Sequence, residues 1–83
     1  MLTSDQIRAA RALVRWSAED LARESGVGLS TVRRIEAADG VPSASAKNLA
    51  SLQRSLETAG VIFVPENGDG PGVRLRKGQG VEG

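Results

Sequence analysis

The sequence has no cysteine and no histidine, and its only aromatic side chains are those of Trp16 and Phe63. The thiol and imidazole groups that bind zinc and haem are therefore missing, as are the common general base and the thiol nucleophile. We expect no metal, no cofactor and no enzymatic activity. With so few aromatic rings, the hydrophobic core must consist of aliphatic residues and alanine, a composition that suits closely packed helices.

Long apolar runs are missing as well. The longest is VIFV at 61–64, whereas a helix that spans a bilayer needs about 20 apolar residues. The segment before Trp16 contains Asp5 and lacks the apolar stretch of a secretion signal. We therefore predict a cytoplasmic protein with no membrane partner.

Neither sign of charge dominates the chain. Eleven Lys and Arg residues stand against ten Asp and Glu residues, for a net charge of +1. Binding to a nucleic acid would therefore depend on where the basic residues lie and not on their sum.

The length of the chain limits the number of domains. A chain of 83 residues supports one hydrophobic core and no second one.

The spacing of apolar residues predicts a bundle of helices. Thr3 with Gln6, and Ser17 with Asp20, have the three-residue spacing of a capping box at a helix start. Gly26 follows the second apolar stripe, as a helix-ending glycine does. The four predicted helices cover residues 4–15, 18–25, 29–38 and 44–59.

After Gly60 the composition changes from helical to β-like. The apolar run at 61–64 and the alternating VRLR at 73–76 flank the turn-rich ENGDGPG. We predict two short antiparallel strands, which must pack on the helices or pair with a second chain because a lone hairpin is marginal in water. Accordingly, we divide the chain into a helical domain (1–60), a hairpin (61–77) and a disordered tail (78–83).

Two short helices joined by the turn at Gly26-Val27-Gly28 match a helix-turn-helix. The stretch WSAEDLARESGVGLSTVRRIE resembles the Cro/C1-type (XRE) DNA-binding domain of phage repressors and small bacterial regulators. The resemblance extends over residues 4–60. It implies an all-α fold, a compact four-helix lambda-repressor-like bundle, to which this chain adds a C-terminal β-hairpin.

The resemblance also implies a partner and a set of contacts. The partner is double-stranded DNA, with the second helix of the motif in the major groove. Arginine there can pair with guanine O6 and N7, and the N-terminal turn of a helix suits phosphate. Residues expected to contact base edges are Leu29, Ser30 and Arg34. Residues expected to contact phosphates are Ser17, Thr31, Arg33 and Lys47.

Arg11 and Glu36 occupy positions that form a partly buried ion pair in some repressors of this family. Such a pair would tie the first helix to the end of the third. The chain departs from the family pattern at Ala18, where a phosphate-binding polar residue is common, and at Gly28, where the helix cap is often Ser or Thr.

One recognition helix contacts too few base pairs to locate a site in a genome. We therefore expect a homodimeric repressor that binds a palindromic operator, with half-sites about 34–36 Å apart. The apolar residues near and in the hairpin are the expected dimer interface: Leu56, Val61, Phe63, Val73 and Leu75.

Two alternatives to a repressor stay open at this point. The chain could be the antitoxin of a toxin–antitoxin pair, which represses its own operon and binds a protein partner. It could also be a protein-binding anti-activator with a vestigial helix-turn-helix. The absence of side-chain contacts at Ala18 and Gly28 is consistent with this second alternative. Separately, Arg33 and Arg34 could be ordinary solvated charges of a helix.

Overall fold

The computed structural model describes residues 2–77 of the chain. Four helices come first, and two strands follow. Their bounds are α1 Ser4–Leu13, α2 Ala18–Ser25, α3 Leu29–Ala37, α4 Ala46–Thr58, β1 Val61–Val64 and β2 Gly72–Leu75. The predicted class, an all-α bundle with a C-terminal hairpin, is confirmed. The tail predicted at 78–83 lies outside the described residues.

Side chains cap the starts of three helices. The Thr3 hydroxyl accepts from the Gln6 backbone N–H, and the Gln6 side chain accepts from the Thr3 N–H. Ser17 and Asp20 form the same reciprocal pair at α2, and Ser45 caps α4. These are the residues that satisfy backbone donors left unpaired in a first helical turn.

Helix α1 ends two residues earlier than its apolar spacing predicts. Arg15 has a φ of +59°, in the left-handed region, and so reverses the chain between α1 and α2. The Trp16 N–H donates to the Arg11 carbonyl at 3.0 Å, and the Arg11 guanidinium donates to the Trp16 carbonyl at the same distance. Two hydrogen bonds thus close this turn, which a periodicity of apolar residues cannot reveal.

The core is aliphatic, as the composition requires, and every helix and β1 contributes to it. Within residues 2–77, every buried side-chain nitrogen and oxygen has a hydrogen-bond partner. The buried apolar residues are Ile7, Ala10, Leu21, Val27, Val32, Ile35, Leu52, Leu56 and Val61.

The hairpin packs on α1 and α4. Its register pairs Val61 with Leu75 and Phe63 with Val73, and directly opposed residues share one face of a sheet. Val61 is fully buried, and Phe63 and Val73 pack against the core. Strand β2 begins at Gly72, one residue earlier than predicted.

This arrangement corrects the predicted dimer interface. Leu56 and Val61 have no exposed surface, so they cannot contact a second chain, and the prediction is wrong for these two. Phe63, Val73 and Leu75 lie on the face that the hairpin turns toward its own helices. The run VIFV is apolar at all four positions, so alternation of polarity could not indicate which face points inward.

The outer face of the hairpin carries the residues between these. Ile62 is paired with Arg74, and Val64 with Gly72. Ile62 and Val64 are half-buried, and Arg74 is exposed. These three residues form what we call the outer hairpin face.

None of the helices in the described part of the chain combines the length and apolarity that crossing a membrane requires.

Candidate nucleic-acid interface

The turn between α2 and α3 depends on a glycine with a positive φ and on a buried valine. Gly26 ends α2 with a φ of +78°, a backbone conformation that residues with a side chain rarely adopt. Its N–H donates to the Ala22 carbonyl at 2.9 Å. Val27 is buried, so it anchors the turn to the core. Gly28 has extended backbone and precedes α3. The turn therefore fixes where α3 starts relative to α2.

Helix α3 separates into a buried face and an exposed face. Val32 and Ile35 are buried in the core, and Glu36 is buried beside them. On the opposite side, exposed residues follow helical spacing: Ser30, Arg33, Arg34 and Ala37. The helix thus presents a polar stripe with two arginines to its surroundings.

The C-terminal end of α3 is held by residues of α1. The buried Ser4 hydroxyl donates to the Ile35 carbonyl at 2.6 Å, and the Ser4 N–H donates to the Gly40 carbonyl at 2.9 Å. The Arg8 guanidinium donates to the Glu36 carbonyl. Carbonyls at the end of a helix lack partners within it, so these donors both satisfy and position that end.

The ion pair expected between Arg11 and Glu36 is present in the structure. Nε of Arg11 lies 2.9 Å from Oε2 of Glu36, and Nη2 lies 3.1 Å from Oε1. The third donor of the guanidinium, Nη1, is bonded to the Trp16 carbonyl. Arg11 therefore connects α1, the turn before α2 and the end of α3. Such a fork fixes orientation more than it adds stability, since desolvation offsets most of the Coulomb attraction.

The N-terminal end of α3 has no side-chain cap, because Gly28 has no side chain that could accept a hydrogen bond from the first turn. The N–H groups of its first turn carry the positive end of the helix dipole. An anion that approached this end would find donors not already engaged by a capping residue.

The predicted contact residues of α3 lie together. Ser30 and Arg34 are exposed on the same stripe, while Leu29 and Thr31 are half-buried at its two sides. Arg33 is exposed and forms an ion pair with Glu19 of α2. The structure thus groups all five on one surface of the helix-turn-helix, and their contacts with DNA stay predictions.

The other two predicted contact residues come from different elements. Ser17 is exposed at the start of α2, where its hydroxyl oxygen accepts from the Asp20 N–H and its hydrogen is left to donate. Lys47 is exposed in the first turn of α4, a helix that packs on α1 and α2. Ser17 therefore lies at the start of the first helix of the motif, and Lys47 lies on a separate element.

A comparison with known families decides what this arrangement is. A family model described as helix-turn-helix matches residues 7–57, which include α2, the turn and α3. The chain belongs to the Cro/C1-type (XRE) helix-turn-helix family. This family consists of DNA-binding transcription regulators and not of enzymes, so the chain is a DNA-binding regulator that takes double-stranded DNA as its partner. A search of curated proteins found no match.

One electrostatic feature of this XRE-family chain lies at the start of α2. The Ser17 backbone N–H donates to the Asp20 carboxylate, and the Arg23 guanidinium lies 2.8 Å from it. The hydrogen bond from the Ser17 backbone, followed by that from Arg23, lowers the pKa of Asp20 below its usual value. Asp20 is therefore ionised throughout the neutral pH range, and its carboxylate continues to accept from the Ser17 N–H at the start of α2.

Several residues that position the helix-turn-helix of this XRE-family chain could not be predicted from its sequence. Ser4 and Arg8 lie about thirty residues from the carbonyls they bind, and no local pattern reports such a contact. Glu19 lies 14 residues from Arg33 on the preceding helix. The only signal for that pair is a carboxylate in the first turn of α2 opposite an arginine on α3.

Proposed function

We propose that the protein is a homodimeric repressor that recognises a palindromic operator by inserting α3 into the major groove of DNA. The observation that carries this proposal is the exposed stripe on α3. Ser30 and Arg34 project away from the buried Val32 and Ile35, and the helix is held at its far end by Arg11 through Glu36. A rigidly held helix with an arginine on its outer side is what reading of base edges requires.

The residues near the stripe divide into two roles. Arg34 reads a base, with guanine as the best match for its two parallel donors, and Ser30 and Leu29 lie beside it. Arg33, Thr31, Ser17 and Lys47 contact phosphates and set the position of the protein on the duplex. Among residues 2–77, no carboxylate lies within ion-pair distance of Arg34, which leaves its guanidinium available for a base.

Substitution of two adjacent arginines tests this division of roles. Arg34→Ala should weaken binding to the operator by about 1–3 kcal/mol and relax the base preference at one position of each half-site. Arg33→Ala should weaken binding to every sequence by the same factor and flatten the salt dependence by at most about one unit of slope. Fluorescence anisotropy with matched and mismatched duplexes measures both.

The two variants serve as controls for each other, because both remove an exposed arginine from the same helix. Equal loss on all sequences for Arg34→Ala would assign Arg34 to the phosphate group. A change in base preference for Arg33→Ala would contradict its role as a phosphate contact.

The homodimer is proposed because one α3 spans only a few base pairs. A second copy, related by a two-fold axis, doubles the site and makes it palindromic. We place the contact on the outer hairpin face, because Ile62 and Val64 are the apolar residues there that α1 and α4 leave partly uncovered. Phe63, Val73 and Leu75 support this face from behind.

Repression is the simplest consequence of such binding. A protein that occupies the major groove within a promoter excludes polymerase from the same DNA. The strength of repression then depends on protein concentration relative to the affinity for the operator.

A further inference from the structure

An ion pair joins the two helices of the helix-turn-helix across their exposed side. Nη2 of Arg33 lies 2.9 Å from Oε2 of Glu19, and the two side chains are 59% and 58% exposed. Glu19 belongs to the first turn of α2, and Arg33 to the middle of α3. The pair therefore lies at the surface that the proposed function turns toward DNA.

Arginines of the two helices differ in whether a carboxylate compensates them. Arg23 lies 2.8 Å from Asp20 and 3.9 Å from Glu24, and Arg33 is paired with Glu19. Arg34 has no such partner in the part of the chain that the structure describes. Apart from the buried Glu36, which Arg11 of α1 pairs, α2 and α3 contain three arginines and three carboxylates. The surface that they expose therefore has no excess of positive charge.

We infer that Glu19 is a negative determinant of DNA affinity, which competes with phosphate for Arg33. This inference rests on the proposed function, in which α3 enters the major groove. In the free protein, the guanidinium of Arg33 is already bonded to a carboxylate. Binding to DNA exchanges that carboxylate for a phosphate oxygen, so the contact contributes only a difference between two similar bonds. The released Glu19 carboxylate then lies within a Debye length of the DNA backbone and repels it.

This competition acts equally on all sequences, because phosphates are present at every site. Glu19 therefore lowers affinity for non-cognate DNA and operator by the same factor. The base contact of Arg34 is unaffected and accounts for a larger share of the remaining affinity. The consequence is a regulator that occupies little non-specific DNA at a given concentration.

The test compares two variants that remove one negative charge each. Glu19→Gln removes the competing carboxylate, and Glu57→Gln makes the same change on the exposed surface of α4. The probe is a fluorescent duplex of arbitrary sequence, titrated by anisotropy at salt concentrations between about 50 and 200 mM. We expect Glu19→Gln to raise affinity about threefold to tenfold at the lower salt and to steepen the salt dependence by up to about one unit of slope. Glu57→Gln should raise it less than twofold.

An equal rise for both variants would show an effect of net charge alone and would overturn the role of Glu19. An unchanged affinity for Glu19→Gln, with a wild-type protein that binds DNA, would overturn it as well. Failure of the folded wild-type protein to bind any duplex would instead contradict the proposed function itself. Thermal unfolding of both variants verifies that they are folded, and the exposure of both carboxylates favours this.

A double-mutant cycle tests whether Arg33 is the partner. We expect Arg33→Ala to reduce affinity more in the Glu19→Gln background than in the wild-type protein, because Arg33 is uncompensated there. Strictly additive effects would show that Glu19 acts on DNA without holding Arg33, and would overturn the competition.

Discussion

At the scale of single residues, Arg11 connects α1 to the turn before α2 and to the end of α3. Its guanidinium binds Glu36 through two nitrogens and the Trp16 carbonyl through the third. The Glu36 side chain is 9% exposed, whereas that of Arg11 is 26% exposed. Removal of Arg11 would therefore leave a nearly buried carboxylate without its cation, which is more damaging than removal of the whole pair.

We predict that Arg11→Met lowers the free energy of unfolding by about 2 kcal/mol. The double variant Arg11→Met/Glu36→Leu should lose less than the two single variants combined, because it leaves no buried charge. Arg54→Met is the matched control, an exposed arginine on α4, with an expected change within about 0.5 kcal/mol. Urea denaturation followed by circular dichroism measures the stability of Arg11→Met, Glu36→Leu, the double variant and Arg54→Met. A loss of stability for Arg11→Met no larger than for Arg54→Met would contradict the structural role of Arg11.

The lowered pKa of Asp20, which caps α2, makes the stability of the folded chain depend on pH. Because the pKa of Asp20 is lower in the folded chain than in the unfolded chain, its contribution is present above the unfolded value, about 3.9. The contribution is lost as pH falls through the folded pKa. Asp20→Asn should therefore be less stable than wild type at pH 7, and the difference should shrink below about pH 4. Thermal melts at several pH values check this, and a difference independent of pH would contradict it.

How far single residues could be predicted depends on how far apart in the chain the partners lie. Both capping boxes are visible in the sequence, because their partners lie three residues apart. The pair of Arg11 and Glu36 could be named only through the resemblance to a family. The pair of Glu19 and Arg33 was not predicted, since two charged residues on different helices give no local pattern.

At the scale of elements, the sequence predicted all four helices and both strands, with errors at their ends. Helix α1 stops where Arg15 takes a left-handed conformation, and the β-strand after the turn starts at Gly72. Neither error follows from a wrong choice of secondary structure. The first arises because hydrogen bonds between Arg11 and Trp16 close the turn after α1, and the second because the register of strand pairing sets the boundary.

The hairpin is attached to α1 by one buried amide. Nε2 of Gln6 donates to the carbonyls of Val64 and Gly72, at 3.2 and 3.0 Å, while its oxygen caps the Thr3 N–H. Gln6→Glu keeps the cap but replaces both donors by an acceptor. We predict that the hairpin opens more easily by about 1–3 kcal/mol, because two carbonyls lose their donor and face a negative charge.

Amide hydrogen exchange distinguishes this local effect from global unfolding. Hairpin amides should exchange faster in Gln6→Glu, while amides of the helical core stay protected. Asn67→Asp is a control for the chemical change, since an aspartate still accepts from the Asp69 N–H in the hairpin turn. Equal acceleration in both variants, or none in Gln6→Glu, would show that Gln6 does not hold the hairpin.

At the scale of the whole molecule, the surface proposed to join two copies is the feature that the sequence could predict least. Apolar residues near the C-terminus were expected to face a partner, but the core of the protomer takes Leu56 and Val61 entirely. A core and an interface select the same residue types, so composition cannot separate them. The register of the hairpin supports the proposed contact, because it leaves Ile62 and Val64 on the outer side.

We predict that the protein sediments as a dimer of the 8.7 kDa chain at the concentrations where it binds its operator. Ile62→Lys places a charge in the proposed contact and should shift the equilibrium between dimer and monomer toward the monomer. Val41→Lys changes an exposed valine, 46% accessible, in the segment between α3 and α4, and should leave the dimer intact. A monomeric wild-type protein bound to a full operator would contradict the dimer. A dimeric Ile62→Lys would place the interface elsewhere.

Selection of binding sites from random duplex DNA shows whether α3 reads a DNA sequence. The purified protein and Arg34→Ala are used in parallel, at low salt, and the retained duplexes are sequenced. We predict a palindromic motif for the wild type, with half-sites about ten base pairs apart. For Arg34→Ala we predict loss of base preference at one position of each half-site. Retention of no preferred sequence by the folded wild-type protein would contradict the proposed role of α3.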